Sequence, residues 1–157
     1  MAKAGYQVAT GAAVALAAAT AKTVLAINGT ANFGVDLKKF RVAFDGVTAS
    51  ALPVLVELMY STQATNSTPG TGNTTATVNQ IYGRTTTPGF TAFYGSTSEP
   101  TVLSLIDSFL LDPNKGLLVY DFPLGDTPDS AVSNGFVIRC TAPAIVNARA
   151  AMICERV

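Results

Sequence analysis

The chain has 157 residues, 48% apolar and 13% charged, with ten basic and ten acidic side chains and neither histidine nor tryptophan. Zero formal charge provides no field to steer nucleic acid or acidic ligands, and the missing histidine excludes Ser-His-Asp and Cys-His nucleophilic sites and most zinc arrangements. One domain is the simplest reading of this length, and so few charges suit a subunit covered by partners better than a free monomer.

Residues 1–20, MAKAGYQVATGAAVALAAAT, open with Lys3 and an apolar run that imitates a secretory leader. Alanine carries most of the run, Gln7, Thr10 and Gly11 interrupt it, and it is too short and weakly apolar to cross a bilayer. Small residues with the single aromatic Tyr6 suggest an extended N-terminal arm pairing with the edge of a neighbouring subunit. The alternative is a first strand of the chain's own sandwich. Residues 21–157 are expected to form the β domain.

From there the recurring signal is short apolar runs with period two, separated by Gly, Pro, Asn and Asp clusters. Lys22–Ile27 is a first strand closed by Asn-Gly-Thr. In KFRVAFDG, Phe40, Val42 and Phe44 share one face, with Arg41 and Asp45 opposite. In PVLVELMYS, Val54, Val56, Leu58 and Tyr60 align against Glu57, and strand is preferred to a helical turn over Ala49–Leu55. Ser61–Thr75 is polar, uncharged and rich in turn formers, and is expected as a long, partner-facing loop. Strands are expected at Thr77–Tyr82 and Phe90–Tyr94, joined by GRTTTPG (Gly83–Gly89), and the Thr85–Phe90 turn is expected to be exposed or partner-facing. The stretch from Val102 to Gly125 reads as a hairpin turning at Asp112-Pro113-Asn114-Lys115-Gly116, with Gly116 taking positive φ. After the loop GDTPDSAVSNG, the segment Ile138–Arg156 reads as a closing strand pair. Eight or nine strands without an amphipathic helix predict an all-β fold, an antiparallel β-sandwich of jelly-roll-like kind.

Several stretches together, LAAATAKTVL (Leu16–Leu25), FDGVTASALPVLVEL (Phe44–Leu58), FPLGD (Phe122–Asp126) and RCTAPAIVNARA (Arg139–Ala150), resemble small β-rich structural proteins of tailed bacteriophages, of the capsid decoration or cement type. The similarity runs in the same order from about residue 16 to the end and is poor over Ser61–Pro100. It implies a β-sandwich body, a homotrimer sitting on the outer capsid surface where capsomers meet, and the major capsid protein as partner, assembled in the host cytoplasm. It implies neither catalysis nor a cofactor.

Cys140 and Cys154 lie symmetrically about Asn147, as opposed positions of a hairpin would. Two buried thiols acting as small core hydrophobes is the favoured reading, with a disulfide as the alternative. The ten carboxylates are dispersed, several of them in turns, and suggest no hydrolytic pair. Asp126, Asp129, Ser130 and Asn134 offer oxygens but lack the spacing of a calcium loop. Asn28, Asn66 and Asn73 begin Asn-x-Ser/Thr triplets, which a threonine-rich chain produces by chance. Lys38, Lys39 and Arg41 read as a solvated strand start or a partner ion-pair site rather than a nucleic-acid patch. The candidate partner-binding residues are therefore Tyr6, Lys38, Lys39, Arg41, Arg84, Phe90 and Tyr94. No membrane contact is expected. The rival function is a receptor- or glycan-binding module of the phage surface, which would use exposed aromatics among Tyr82, Phe90, Phe93 and Tyr94.

Overall fold

Alternating apolar residues cannot all be shielded within one sheet, so the chain folds into two sheets that bury their inner faces against each other. A computed structural model describes residues 4–46, 52–63 and 66–157. The residues carrying Lys3 and the helical alternative over Ala49–Ala51 lie outside that range. Among the described residues twelve strands form: β1 (Gly5–Ala9), β2 (Val14–Leu16), β3 (Ala21–Gly29), β4 (Val35–Asp45), β5 (Val54–Ser61), β6 (Thr74–Thr75), β7 (Val78–Tyr82), β8 (Phe90–Tyr94), β9 (Leu103–Leu111), β10 (Leu118–Asp121), β11 (Gly135–Thr141) and β12 (Val146–Arg156). No helix occurs among the described residues.

The first sheet has the order β10-β4-β12-β1-β7, with β2 also on β12; the second runs β6-β8-β3-β11-β5-β9. Every ladder between named strands is antiparallel. The expected antiparallel sandwich is therefore the observed architecture. Leu37, Phe40 and Val42 from β4, Met152 and Cys154 from β12, and Tyr6 and Val8 from β1 meet Leu25, Ile27, Val56, Leu58, Phe136 and Ile138 from the other sheet in one core. Each such side chain contributes about 1.5–3 kcal/mol on full burial.

Residues 5–16 belong to this body: β1 lies between β12 and β7, and β2 continues along β12. The strand reading of the N-terminal stretch thus describes these residues, and they do not project as an arm. Between the two strands Thr10 bridges the gap, its N–H donating to the Ala150 carbonyl and its hydroxyl accepting from the Ala150 N–H.

Two hairpin readings are corrected. β9 pairs with β5 and β10 with β4, so Asp112–Leu117 carries the chain from one sheet to the other. Gly116 does take positive φ, 94°, as its turn position requires. Likewise β11 pairs with β3 and β5 while β12 pairs with β4, β1 and β2, so Cys140 and Cys154 lie on different sheets rather than opposite each other in a hairpin. A turn sequence specifies a reversal of direction, but not whether the returning strand pairs beside its predecessor or crosses the core.

A second, smaller cluster (Ala26, Met59, Phe93 and Val137) lies on the outer face of the second sheet and is nonetheless buried. The segment after β5 folds back over this face. Ser67 is buried and accepts from the Asn28 amide, Gln63 donates to the Gly29 carbonyl, and Asn66 donates to the Glu99 carbonyl. The loop expected to face a partner is in its first half a cover pinned to its own sheet.

Candidate functional site

The described residues contain no group of three or more His, Cys, Asp or Glu side chains placed to hold a metal ion. Cys140 and Cys154 are free and buried, and burial pushes both thiols up, with nearby carboxylates adding to the effect. The Cys154 thiol donates to the Tyr6 carbonyl at 3.8 Å. Thiols held this far from the thiolate form are packing groups, not nucleophiles.

One charged cluster joins residues far apart in the chain. Asp36 and Glu155 are cross-strand partners on β4 and β12, both buried, and the Lys38 ammonium reaches them at 2.5 and 3.4 Å. The register slips beside this pair, at Ile153/Cys154, which leaves Lys38 unpaired in the ladder. Burial works to lower the Lys38 pKa, but the hydrogen bond and charge of Asp36, reinforced by Glu155, outweigh it and the net shift is upward. Tyr82 donates to Glu155 Oε1 at 2.8 Å, and its phenol is pushed up to about 12, first by burial and then by the Glu155 hydrogen bond and charge. An ammonium held by two carboxylates is a poor base and a phenol of this kind a poor nucleophile, and the cluster ties the end of the sheet.

The expected partner-binding residues separate into three groups. Tyr6 and Phe90 are buried, which corrects their assignment as contact residues. Their rings meet edge-on at 5.4 Å and 88° across the two sheets, and the Tyr6 hydroxyl bonds Thr86, 2.6 Å to its Oγ1. A single large aromatic among small residues suggests an arm that reaches a partner; here it packs in the core of its own sandwich. Lys38 is engaged as described, and Lys39 pairs with Asp121 of β10 at 2.7 Å.

Arg41, Arg84 and Tyr94 remain at the surface. Arg41 and Arg149 border a shallow groove of about 220 Å³ floored by Ala9, Ala43 and Ala151 and walled by Leu117. Arg149 pairs with Asp45 at 3.1 Å, whereas Arg41 meets no carboxylate among the described residues. Half-buried Tyr94 borders a depression of about 280 Å³ with Thr75, Thr77 and Asn79. Arg84 is exposed in the loop after β7.

The surface feature that sequence reasoning missed is apolar. Leu124 is 98% exposed, Ile145 78%, Leu110 72%, Leu52 61%, and Leu105 and Leu117 56% each. Leu105 and Leu110 belong to β9, the edge of the second sheet, and β10 is the adjacent edge of the first, so one flank of the sandwich is open. Beneath it Phe109, Phe40 and Tyr120 stack with centroids 5.5–5.9 Å apart. The sequence showed these leucines but not which face they would occupy, because that depends on the crossing at Asp112–Leu117.

No helix of the described residues is long and apolar enough to cross a membrane. The chain matches no protein-family model, no curated protein and no solved structure.

Proposed function

We propose that this chain is a structural protein of a tailed-phage particle, an accessory decoration or cement protein that binds the assembled head and bridges neighbouring capsomers. The observation that carries this reading is the set of large apolar side chains left in water, from Leu124 and Ile145 in loops to Leu105 and Leu110 on an edge strand. A free monomer seldom carries so many such side chains on an otherwise weakly charged surface, whereas a subunit covered by partners does. The phage assignment itself rests on the resemblance of the four sequence blocks. Bridging works through linkage: a protein that binds only the assembled shell stabilises that shell, and several copies held together add weak contacts into avidity.

The glycan-binding alternative needs a cluster of exposed aromatics. Phe90 and Phe93 are buried and Tyr94 is half-buried, so Tyr82 alone of its four residues is exposed. The decisive experiment is co-sedimentation of the purified chain with heads of the phage that encodes it, lacking their own copy. Saturable pelleting, together with raised resistance of the heads to heat or chelator, is expected. Failure to pellet at any concentration, or pelleting abolished by free sugars, overturns the reading.

A further inference from the structure

The two flanks of the sandwich differ in a way that makes each a match for the other. On the first, β9 offers nine residues of unpaired strand edge, Leu103–Leu111, without lysine, arginine or proline. Lysine and proline are common means of blocking an edge, and the single bulge at Ile106 leaves the run Asp107–Leu111 in regular register and open to another strand. Its outward leucines, Leu105 and Leu110, are 56% and 72% exposed. Its single charge is Asp107, whose carboxylate accepts, among the described residues, only the adjacent Ser108 N–H at 2.7 Å.

The opposite flank ends the first sheet in β7, also unpaired on its outer side and uncharged throughout, with Ile81 and Tyr82 44% and 45% exposed. Two residues beyond it, after Gly83, comes Arg84, exposed, with no carboxylate partner among the described residues. Apolar edge faces apolar edge in this comparison, and an unpaired acid on one has an unpaired base on the other.

Charge decides between two ways of using these edges. An antiparallel pairing of β9 with β9 of a second copy, centred on the strand, sets Asp107 beside its own duplicate, and like charges directly opposite destabilise a ladder. Pairing β9 of one copy with β7 of the next brings Asp107 towards Arg84 instead. The chain carries zero net charge, so copies do not repel at long range.

We infer that the protein assembles head to tail with further copies of itself, the β9 edge of each subunit extending the β7 edge of its neighbour. Backbone hydrogen bonds supply the attraction, the antiparallel register that sets Asp107 opposite Arg84 also sets Leu110 opposite Ile81, and the Asp107–Arg84 pair fixes the direction. Because the joined surfaces differ and lie on opposite flanks, the contact closes into a ring if the rotation permits and otherwise runs on as a filament. This deepens the reading of the chain as an assembling structural subunit and rests on it.

The test is a charge exchange on the full chain: wild type, Arg84→Glu, Asp107→Arg and the double variant, compared by sedimentation equilibrium, with circular dichroism confirming the fold. Wild type is expected to associate, and each single change to weaken association by about tenfold or more, as loss of a close interfacial charge pair does. Combining both changes should restore association to within roughly threefold, because the two sites couple only if they touch. A monomeric wild type, single changes without effect, or a double variant that stays dissociated overturns the contact. Stronger association of an added Asp107→Asn variant, which removes the like-charge pair without creating another, marks β9–β9 pairing and overturns it equally. Co-sedimentation with heads separates this from the function: a monomer that pellets with heads refutes the contact and spares the decoration reading. An oligomer that assembles through this contact but ignores heads does the reverse.

Discussion

Replacing Phe40 by alanine tests the aromatic packing that holds the open flank together. Phe40 is 1% exposed, stacks on Tyr120 at 5.5 Å and 20°, and meets Phe109 at 5.9 Å and Phe122 at 6.1 Å. Its ring thus joins β4 to both edge strands. The transfer contribution of a buried phenylalanine is about 2–3 kcal/mol. A residual cavity of roughly 100 Å³, at about 24 cal/mol per Å³, would add about 2.4 kcal/mol if nothing moved. Tyr120 and Phe122 are only partly buried and can move inward, which trims the second contribution, so a loss of about 3–4 kcal/mol is expected. For a chain of this size that corresponds to roughly 6–16 °C in the unfolding midpoint, read by calorimetry or by urea unfolding followed with circular dichroism. Leu124→Ala, at a fully solvated loop position, serves as the control and should stay within about 0.5 kcal/mol of wild type. A Phe40→Ala loss below about 1 kcal/mol would show that these rings do not form the tight junction described.

Other consequences are equally direct. Gly135→Ala places a Cβ 1.8 Å from the Ile27 carbonyl oxygen, so β11 and β3 must separate, and a loss of at least about 1–3 kcal/mol in chemical unfolding is expected; a neutral result would contradict that ladder. Glu99→Ala removes the acceptor of both the Thr23 N–H and the Thr23 hydroxyl, leaving a buried donor unsatisfied at a cost of about 1–3 kcal/mol, whereas Glu99→Gln should recover part of it. The thiols of Cys140 and Cys154 should resist a thiol-specific disulfide reagent in the native protein and react together in urea; rapid native labelling of either refutes its burial. Tyr82 keeps its proton in the fold to about pH 12, against an ordinary 10.0, so the native state binds more protons than the unfolded chain between these values. The raised Lys38 pKa acts in the same sense, its contribution being present below the unfolded value of 10.5 and lost above it. Stability should therefore fall as pH rises through this window, and Tyr82→Phe should remove an absorbance step near pH 12; an unchanged step refutes the assignment of the raised value to Tyr82.

Period-two patterning made the strands legible because each has one face in the core: β4 and β5 follow the alternation, and β8 falls on the expected Phe90–Tyr94. Local pattern says nothing about which sheet a strand joins, which is why both supposed hairpins proved to be crossings. Side-chain direction failed where a second layer intervened. Phe93 points away from the main core and would be exposed on a bare sheet, but the segment holding Ser67 covers that face. The basic residues of β4 showed the reverse problem, since Lys38 owes its partners to a register slip that no alternation predicts.

The position of β12 governs how the protein is made. It is the last strand in sequence yet lies between β4 on one side and β1 and β2 on the other, with Gly5 opposite Glu155. As the chain leaves the ribosome at roughly 5–20 residues per second, β1, β2 and β4 emerge long before their shared neighbour exists. The second sheet, whose final member β11 ends at Thr141, can form earlier, but its partner layer cannot close until residue 156 is free. Assembly-competent surface therefore appears only once β12 has emerged, and a polypeptide stopped short of β12 would leave the first sheet split, with β4 parted from β1 and no central strand to rejoin them.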